Sequence, residues 1–318
     1  MNQLKPEISI VIPIYNEDGN LKQLYERIKE AFRNLNREFE IIFVNDGSCD
    51  KSWSVISQLT QLNKKIKGID LKKNYGQTTA LSAGFSYSKG EIIITMDADL
   101  QNDPKDIPKL LEKIEDGYDV VSGWRRQRKD PLLFRRFPSA IANKIISKVT
   151  GTPIHDFGCT LKAYKRDIIK NLKLYGEMHR FLPAYAIWLG AKVTEVEVAH
   201  YPRSSGKSKY GLGRTFKVIL DLITTKFLVT FATKPSYVFG GIGIILFLIG
   251  ILIGIFVLIR ALYFTGIWVS PLIFIMTICI ITSIQLILMG LLGEIAVRTY
   301  HESQNKSPYL IAKKLNID

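Results

Sequence analysis

An apolar run, Ile92-Ile93-Ile94-Thr95-Met96, stops on Asp97-Ala98-Asp99-Leu100-Gln101, so two carboxylates stand one residue apart with an amide two residues further on. Hard divalent cations prefer oxygen ligands of this kind and share them with substrate phosphates, so the spacing points to a metal-and-phosphate site. A solvated Asx turn at a strand end is the alternative for these residues taken alone. Apolar side chains on both faces mark the run as a central strand of a parallel sheet, and such sheets place ligands beyond their C-terminal ends.

Other strand-like runs end in comparable residues. Residues 8–14 read as a first strand leading into Tyr15-Asn16-Glu17, and 40–44 as a second leading into Asn45-Asp46-Gly47-Ser48. Further strands are expected at 66–71, 91–96, 119–122 and 192–200. Leu21, Leu24, Ile28 and Phe32 recur at helical spacing after the first strand, as do Val55, Ile56, Leu59 and Leu62 after the second. The alternation predicts an α/β domain with a largely parallel sheet. With neighbouring strands about 4.8 Å apart, Glu17, Asp46, Asp97 and Asp99 would share one sheet edge. Any one of these acids could cap a helix or a turn. Gathered together they repel unless a cation or hydrogen-bond donors satisfy them.

A segment rich in small and basic residues follows the last expected strand: Arg203-Ser204-Ser205-Gly206-Lys207-Ser208-Lys209-Tyr210. It has the composition of a loop that closes over a diphosphate, with a solvated basic turn as the alternative. Apolar and charged residues then alternate over 211–233, as in amphipathic helices lying in a membrane interface.

Hydropathy divides the remainder. No charged residue occurs over 236–259 or over 261–293. Twenty-four helical residues extend about 36 Å, enough to cross a hydrocarbon core of about 30 Å with some tilt. The expected organisation is a catalytic domain over 1–210, amphipathic juxtamembrane helices over 211–233, two transmembrane helices within 234–293 and a tail over 294–318. No signal peptide is expected, since Met1-Asn2-Gln3-Leu4-Lys5 runs straight into a strand. Lys226 and Lys234 precede the spans, Arg298, Lys306, Lys313 and Lys314 follow them, and the expected connector holds only Arg260, with Tyr263 and Trp268 at the far interface. The positive-inside bias puts the catalytic domain and both termini in the cytoplasm. Gly250 and Gly254 form a small-xxx-small pair suited to close helix approach.

The chain carries a net charge of +14, of which +11 lies before Lys234. For a tethered domain this favours anionic lipid headgroups over nucleic acid as the partner. Cys49, Cys159 and Cys279 lack paired spacing and read as reduced thiols, and the four histidines show no metal-ligand spacing.

Together these residues resemble the family 2 glycosyltransferases with a GT-A fold, and among them the polyprenyl-phosphate glycosyltransferases. The resemblance rests on Val11 to Glu17, Val44 to Ser48, Asn74-Tyr75-Gly76-Gln77, Asp97 to Gln101, Ser122-Gly123-Trp124-Arg125 and Arg203 to Tyr210. It implies that Pro13, Tyr15, Glu17, Val44 and Asp46 line a nucleotide pocket, with Ala98 beside them. It further implies that Asp97, Asp99 and Gln101 handle Mg²⁺ or Mn²⁺ and the donor diphosphate, and that Arg125, Arg203 and Lys209 offset its charge. Asp156, in His155-Asp156-Phe157-Gly158-Cys159, matches the family's acid near the acceptor and is the candidate base.

The implied reaction is inverting transfer of a sugar from a nucleotide-sugar donor to undecaprenyl phosphate or a related polyprenyl phosphate. UDP-glucose is the expected donor, with GDP-mannose, UDP-GlcNAc and UDP-aminoarabinose types as alternatives. A bacterial inner membrane and a homo-oligomer, a tetramer among the options, complete the expectation. A nucleotidyltransferase should open with a Gly-rich loop instead of Pro13-Ile14-Tyr15-Asn16-Glu17, and a processive polysaccharide synthase should carry a Gln-x-x-Arg-Trp motif. A non-catalytic nucleotide-sugar binder is the alternative from another class.

Overall fold

The computed structural model describes residues 6–33, 35, 37–126, 154–170, 178–202, 236–263, 271–303 and 309–317. Two compact units divide the chain: residues 1–222 with 307–318, and residues 223–306.

The first unit is built on an eight-stranded sheet flanked by helices. In chain order its described elements are β1 (Ile8–Ile14), α1 (Leu21–Phe32), β2 (Phe39–Asn45), α2 (Ser52–Leu62), β3 (Ile66–Leu71), α3 (Gln77–Tyr87), β4 (Ile92–Thr95), α4 (Ile107–Glu115), β5 (Val120–Trp124), β6 (Lys162–Lys165), α5 (Arg166–Lys170), α6 (Leu182–Trp188), β7 (Val193–Glu197) and, from the C-terminal end, β8 (Ile311–Leu315). The sheet order is β7-β5-β6-β4-β1-β2-β3-β8. Strands β4, β1, β2 and β3 run parallel, and the mainly apolar sequences of β4, β1 and β2 suit strands buried on both faces, while β3 is interrupted by Lys67 and Asp70. Leu21, Leu24, Ile28 and Phe32 line the buried side of α1, whereas Leu62 closes α2 at the surface, 77% exposed, outside the stripe that Ile56 and Leu59 bury.

Two strands escaped the sequence reading and make the sheet mixed. β6 inserts antiparallel between β4 and β5, so the strand after β4 in the sequence is not its neighbour in the sheet. Four residues broken by lysines at both ends carry too little periodicity to stand out. β8 pairs antiparallel with β3 and comes from the segment read as a plain tail. Tyr309 ahead of it is buried and donates its hydroxyl to Ser86 Oγ at 3.2 Å. Asn316 donates its amide to the carbonyls of Thr60 and Ile66, both at 2.8 Å. This strand covers the β3 edge, which would otherwise present a row of unpaired backbone groups.

The second unit contains α7 (Ser236–Tyr263) and α8 (Pro271–Ser303), which pack on each other. Both are long and apolar enough to cross a membrane. Arg260 and Tyr263, read as connector, are the last turn of α7, and α8 continues ten residues beyond Gly293. Close packing uses glycine: a Cβ on Gly250 would lie 2.9 Å from Ile280, one on Gly254 3.0 Å from Met276 Sδ, and one on Gly243 2.8 Å from Ile287. The expected amphipathic segment 211–233 lies outside the described residues.

Candidate active site

The Asp97-Ala98-Asp99 turn follows the C-terminal end of β4, whose neighbour β1 pairs on its other side with β2, so the three informative strand ends are adjacent. Asp99 is 6% exposed, and its Oδ1 accepts the Gln101 N–H at 3.2 Å. Leu100 between them has a φ of 61° while its side chain is buried in the core. A left-handed leucine costs on the order of 1–3 kcal/mol, and burial of its side chain holds the turn in that shape.

At the β1 and β2 ends, Pro13 stands opposite Val44 in the parallel register. Val44 is buried, and Tyr15 is exposed just beyond the strand. The loops that follow are knitted together: Asn16 N–H donates to Ser48 Oγ at 3.0 Å, Glu17 N–H to Ser52 Oγ at 3.0 Å, and Cys49 N–H to Asn16 Oδ1 at 2.8 Å. Asn20 donates to Glu17 Oε2 at 2.7 Å, which holds that carboxylate over the start of α1.

Asp46 has a distinct task. Its carboxylate accepts the backbone N–H groups of Tyr75 at 2.7 Å and Gly76 at 2.9 Å. Burial pushes this carboxyl above the usual range, against the two amide donors that pull it down. Gly47 takes φ 63°, and a Cβ there would lie 2.4 Å from the Lys73 carbonyl carbon, so only glycine lets loop 72–76 come this close. The loop delivers Gln77, whose Nε2 donates to Asp97 Oδ1 at 2.8 Å. The strand ends of β2 and β4 are thus bridged by one short segment.

On the other side of β4, Arg125 and Asp156 form a bidentate ion pair. Nε donates to Oδ2 at 2.7 Å and Nη2 to Oδ1 at 3.0 Å, with side-chain exposures of 12% and 4%. Gly158 N–H adds a donor to Asp156 Oδ1 at 3.1 Å. Burial works against the guanidinium charge, but the Asp156 carboxylate outweighs it and raises the arginine above its ordinary range, with Asp97 contributing. Thr160 ties this segment to the DxD edge, accepting from Thr95 Oγ1 at 2.8 Å through its carbonyl and from Asn102 Nδ2 at 3.0 Å through its hydroxyl.

Sequence reasoning overlooked three residues near this edge. Gln77 lay in a recognised motif, but an amide has no distinctive spacing. Lys162 is fully buried on β6, donates to the Phe157 carbonyl at 3.2 Å, and is pushed down to about 8 by burial. His179 is buried and shares a 2.7 Å hydrogen bond with Thr78 Oγ1, a partner a hundred residues away.

Arg203 and Lys209 lie outside the described residues. The chain leading to them is anchored: Tyr201 N–H donates to the Gln101 carbonyl at 2.9 Å, and His200 bridges to Asn102.

Among the described residues, no three His, Cys, Asp or Glu side chains gather into a metal cage. Two carboxylates on one turn suit Mg²⁺ or Mn²⁺, which is commonly held by one or two carboxylates together with substrate phosphates. The donor set fits a cation that arrives with, or is completed by, a diphosphate.

Comparison with known proteins agrees with this geometry. The family described as Glycosyl transferase family 2 matches residues 9–173. The chain is 37% identical over 312 residues to a dodecaprenyl-phosphate galacturonate synthase of Rhizobium johnstonii, covering 96% of this chain and 92% of that one. It is 38% identical over 310 residues to an undecaprenyl-phosphate 4-deoxy-4-formamido-L-arabinose transferase of Photorhabdus laumondii, covering 96% and 94%. Among solved structures, glucosyl-3-phosphoglycerate synthase from Mycobacterium tuberculosis, in complex with Mn²⁺, UDP and phosphoglyceric acid, shares the fold with a TM-score of 0.52 at 16% identity, over 70% of this chain and 78% of that one. A GT-A sheet with the DxD turn at its edge, and similarity to transferases along nearly the whole chain, make this protein an enzyme of glycosyl transferase family 2.

Proposed function

We propose that the protein transfers a sugar from a nucleotide-sugar donor to the phosphate of a membrane polyprenyl phosphate. Whole-length similarity to two transferases named for polyprenyl-phosphate products carries this reading. The two long apolar helices support it, since a polyprenyl acceptor resides in a bilayer. Strand β8 follows those helices in the sequence and pairs in the same sheet as β1 to β7. That connectivity supports a catalytic unit on the same face as the C-terminus.

In this reading Pro13, Tyr15, Glu17, Val44 and Asp46 form the nucleotide side, and Asp97, Asp99 and Gln101 hold Mg²⁺ or Mn²⁺ with the donor diphosphate. Bound there, the cation would neutralise charge developing on the leaving diphosphate. The acceptor phosphate oxygen forms a bond to C1 as the C1–O bond to the diphosphate breaks, and the electron pair leaves with the nucleoside diphosphate. A phosphate monoester with a second pKa of about 6 is already ionised near neutrality, so no strong base is required. Asp156, engaged by two guanidinium N–H donors of Arg125, fits better as the anchor of that cation than as a proton acceptor. Arg125 then presents positive charge to the phosphates at the DxD edge.

The two transferases similar along nearly the whole chain are named for galacturonate and for 4-deoxy-4-formamido-L-arabinose. They favour a uronate or aminoarabinose type of donor over UDP-glucose. The test is a panel of radiolabelled nucleotide sugars, including both types and UDP-glucose, offered with undecaprenyl phosphate to the detergent-solubilised full chain, with and without EDTA. EDTA-sensitive label in the lipid phase is the expected result. Tight nucleotide binding without transfer to any lipid phosphate would favour a non-catalytic binder.

A further inference from the structure

We infer that Gln77 is a positioning residue for the donor end of the site, its amide holding the Asp97 carboxylate in the orientation that receives the nucleoside diphosphate. The inference rests on the donor-pocket reading of Asp97. Gln77 is the first residue of α3, and its Nε2 reaches Asp97 Oδ1 at 2.8 Å.

The backbone that carries this amide is held from several directions. Asp46 binds the N–H groups of Tyr75 and Gly76 immediately before it. Gly76 turns the chain into the helix with a φ of 94°. Lys72 N–H donates to the Leu310 carbonyl at 2.9 Å, so the C-terminal segment secures the root of the loop. Thr78, next along, is hydrogen-bonded to His179. An amide mounted this rigidly arrives at Asp97 already oriented, which lowers the entropy cost of ordering the carboxylate when ligand binds.

The choice of an amide follows from charge. Gln donates a hydrogen bond without adding positive charge, so Asp97 keeps the negative charge that a divalent cation requires. Lysine or arginine here would neutralise the carboxylate. Glutamate would place a second acid against it and supply no donor in its ionised form. Groups that orient a metal-binding carboxylate typically change affinity by about 10- to 100-fold when removed.

The experiment measures UDP and GDP binding to the full chain in detergent with Mn²⁺, by calorimetry and by the Mn²⁺ paramagnetic resonance signal. The variants are Gln77→Met, Gln77→Glu, Asp97→Asn and Gln77→Met combined with Asp97→Asn. Gln77→Met, which keeps length and loses the donor, should weaken nucleotide affinity by about tenfold or more, with donor KM rising more than kcat falls. Gln77→Glu should also weaken it. In the Asp97→Asn background, Gln77→Met should add no further loss, because the two act through one carboxylate. Undiminished affinity in Gln77→Met, or a fully additive loss in the double variant, overturns the inference while leaving the pocket reading intact. Absence of nucleoside diphosphate binding by the unsubstituted protein overturns the pocket reading, and this inference with it.

Discussion

Replacing Asp156 by asparagine separates two roles for that residue. The Arg125–Asp156 pair is bidentate, at 2.7 and 3.0 Å, and both side chains are nearly buried. Removing one partner of such a pair leaves a buried charge uncompensated, which costs about 3–5 kcal/mol. Arg125 retains some exposure, which puts the expected loss near the lower end, at about 3 kcal/mol. For a unit of this size each kcal/mol moves the melting temperature by about 2–4 °C, so Asp156→Asn should melt about 6–12 °C lower. Arg125, no longer forked onto a carboxylate, should also bind the donor diphosphate less well and raise donor KM. Melting of the detergent-solubilised protein, followed by intrinsic fluorescence, and donor titrations measure both effects. Arg125→Met with Asp156→Leu should recover most of the stability and none of the turnover, since a well-packed apolar pair can replace a buried ion pair without loss. The anchoring argument is refuted if Asp156→Asn melts within about 2 °C of the unsubstituted protein and keeps its donor KM while kcat collapses. That pattern belongs to a proton acceptor.

Three further perturbations test other parts of the structure. Burial holds Lys162 at about 8, below its ordinary 10.5, so the unfolded chain binds more protons between those values and stability should rise with pH across that window; the full span corresponds to about 3 kcal/mol. Lys162→Met should abolish that rise, and identical pH–melting curves for the two proteins from pH 7.5 to 10.5 would refute it. Tyr309→Ala removes a buried ring and its bond to Ser86, and should cost about 3 kcal/mol as a core aromatic deletion; an unchanged melting temperature would show that β8 does not brace the sheet. Gly243→Leu drives atoms into Ile287 and the Ser283 carbonyl, with an overpacking cost of about 1–3 kcal/mol, whereas the same change at Gly241, which has open space around it, should be tolerated; equal melting temperatures for the two variants would contradict the packing of α7 on α8.

The parallel strands β1, β2 and β4 were legible because each is a mainly apolar run followed by turn-forming polar residues, a local pattern that burial on both faces favours. Their shared edge followed, since neighbouring parallel strands align their C-terminal ends, and it brought Glu17, Asp46, Asp97 and Asp99 to adjacent strand ends. β6 was not legible, because its place between β4 and β5 depends on partners distant in sequence and on only four residues. β8 was missed for a similar reason: the adjacent lysines 313 and 314 look like a solvated tail until β3 offers an edge.

At the site the division is similar. The residue types of the DxD turn announced oxygen chemistry, and composition alone announced two apolar spans. Tertiary structure decided what each acid touches: Asp46 spends its carboxylate on the Tyr75 and Gly76 amides, Asp97 meets Gln77, and Asp156 is locked to Arg125. A carboxylate's chemistry is carried by its residue type and can be read from the sequence, whereas its role depends on which donors lie within about 3 Å. In this protein those donors come from segments 20 to 31 residues away, brought there by the packing of the sheet.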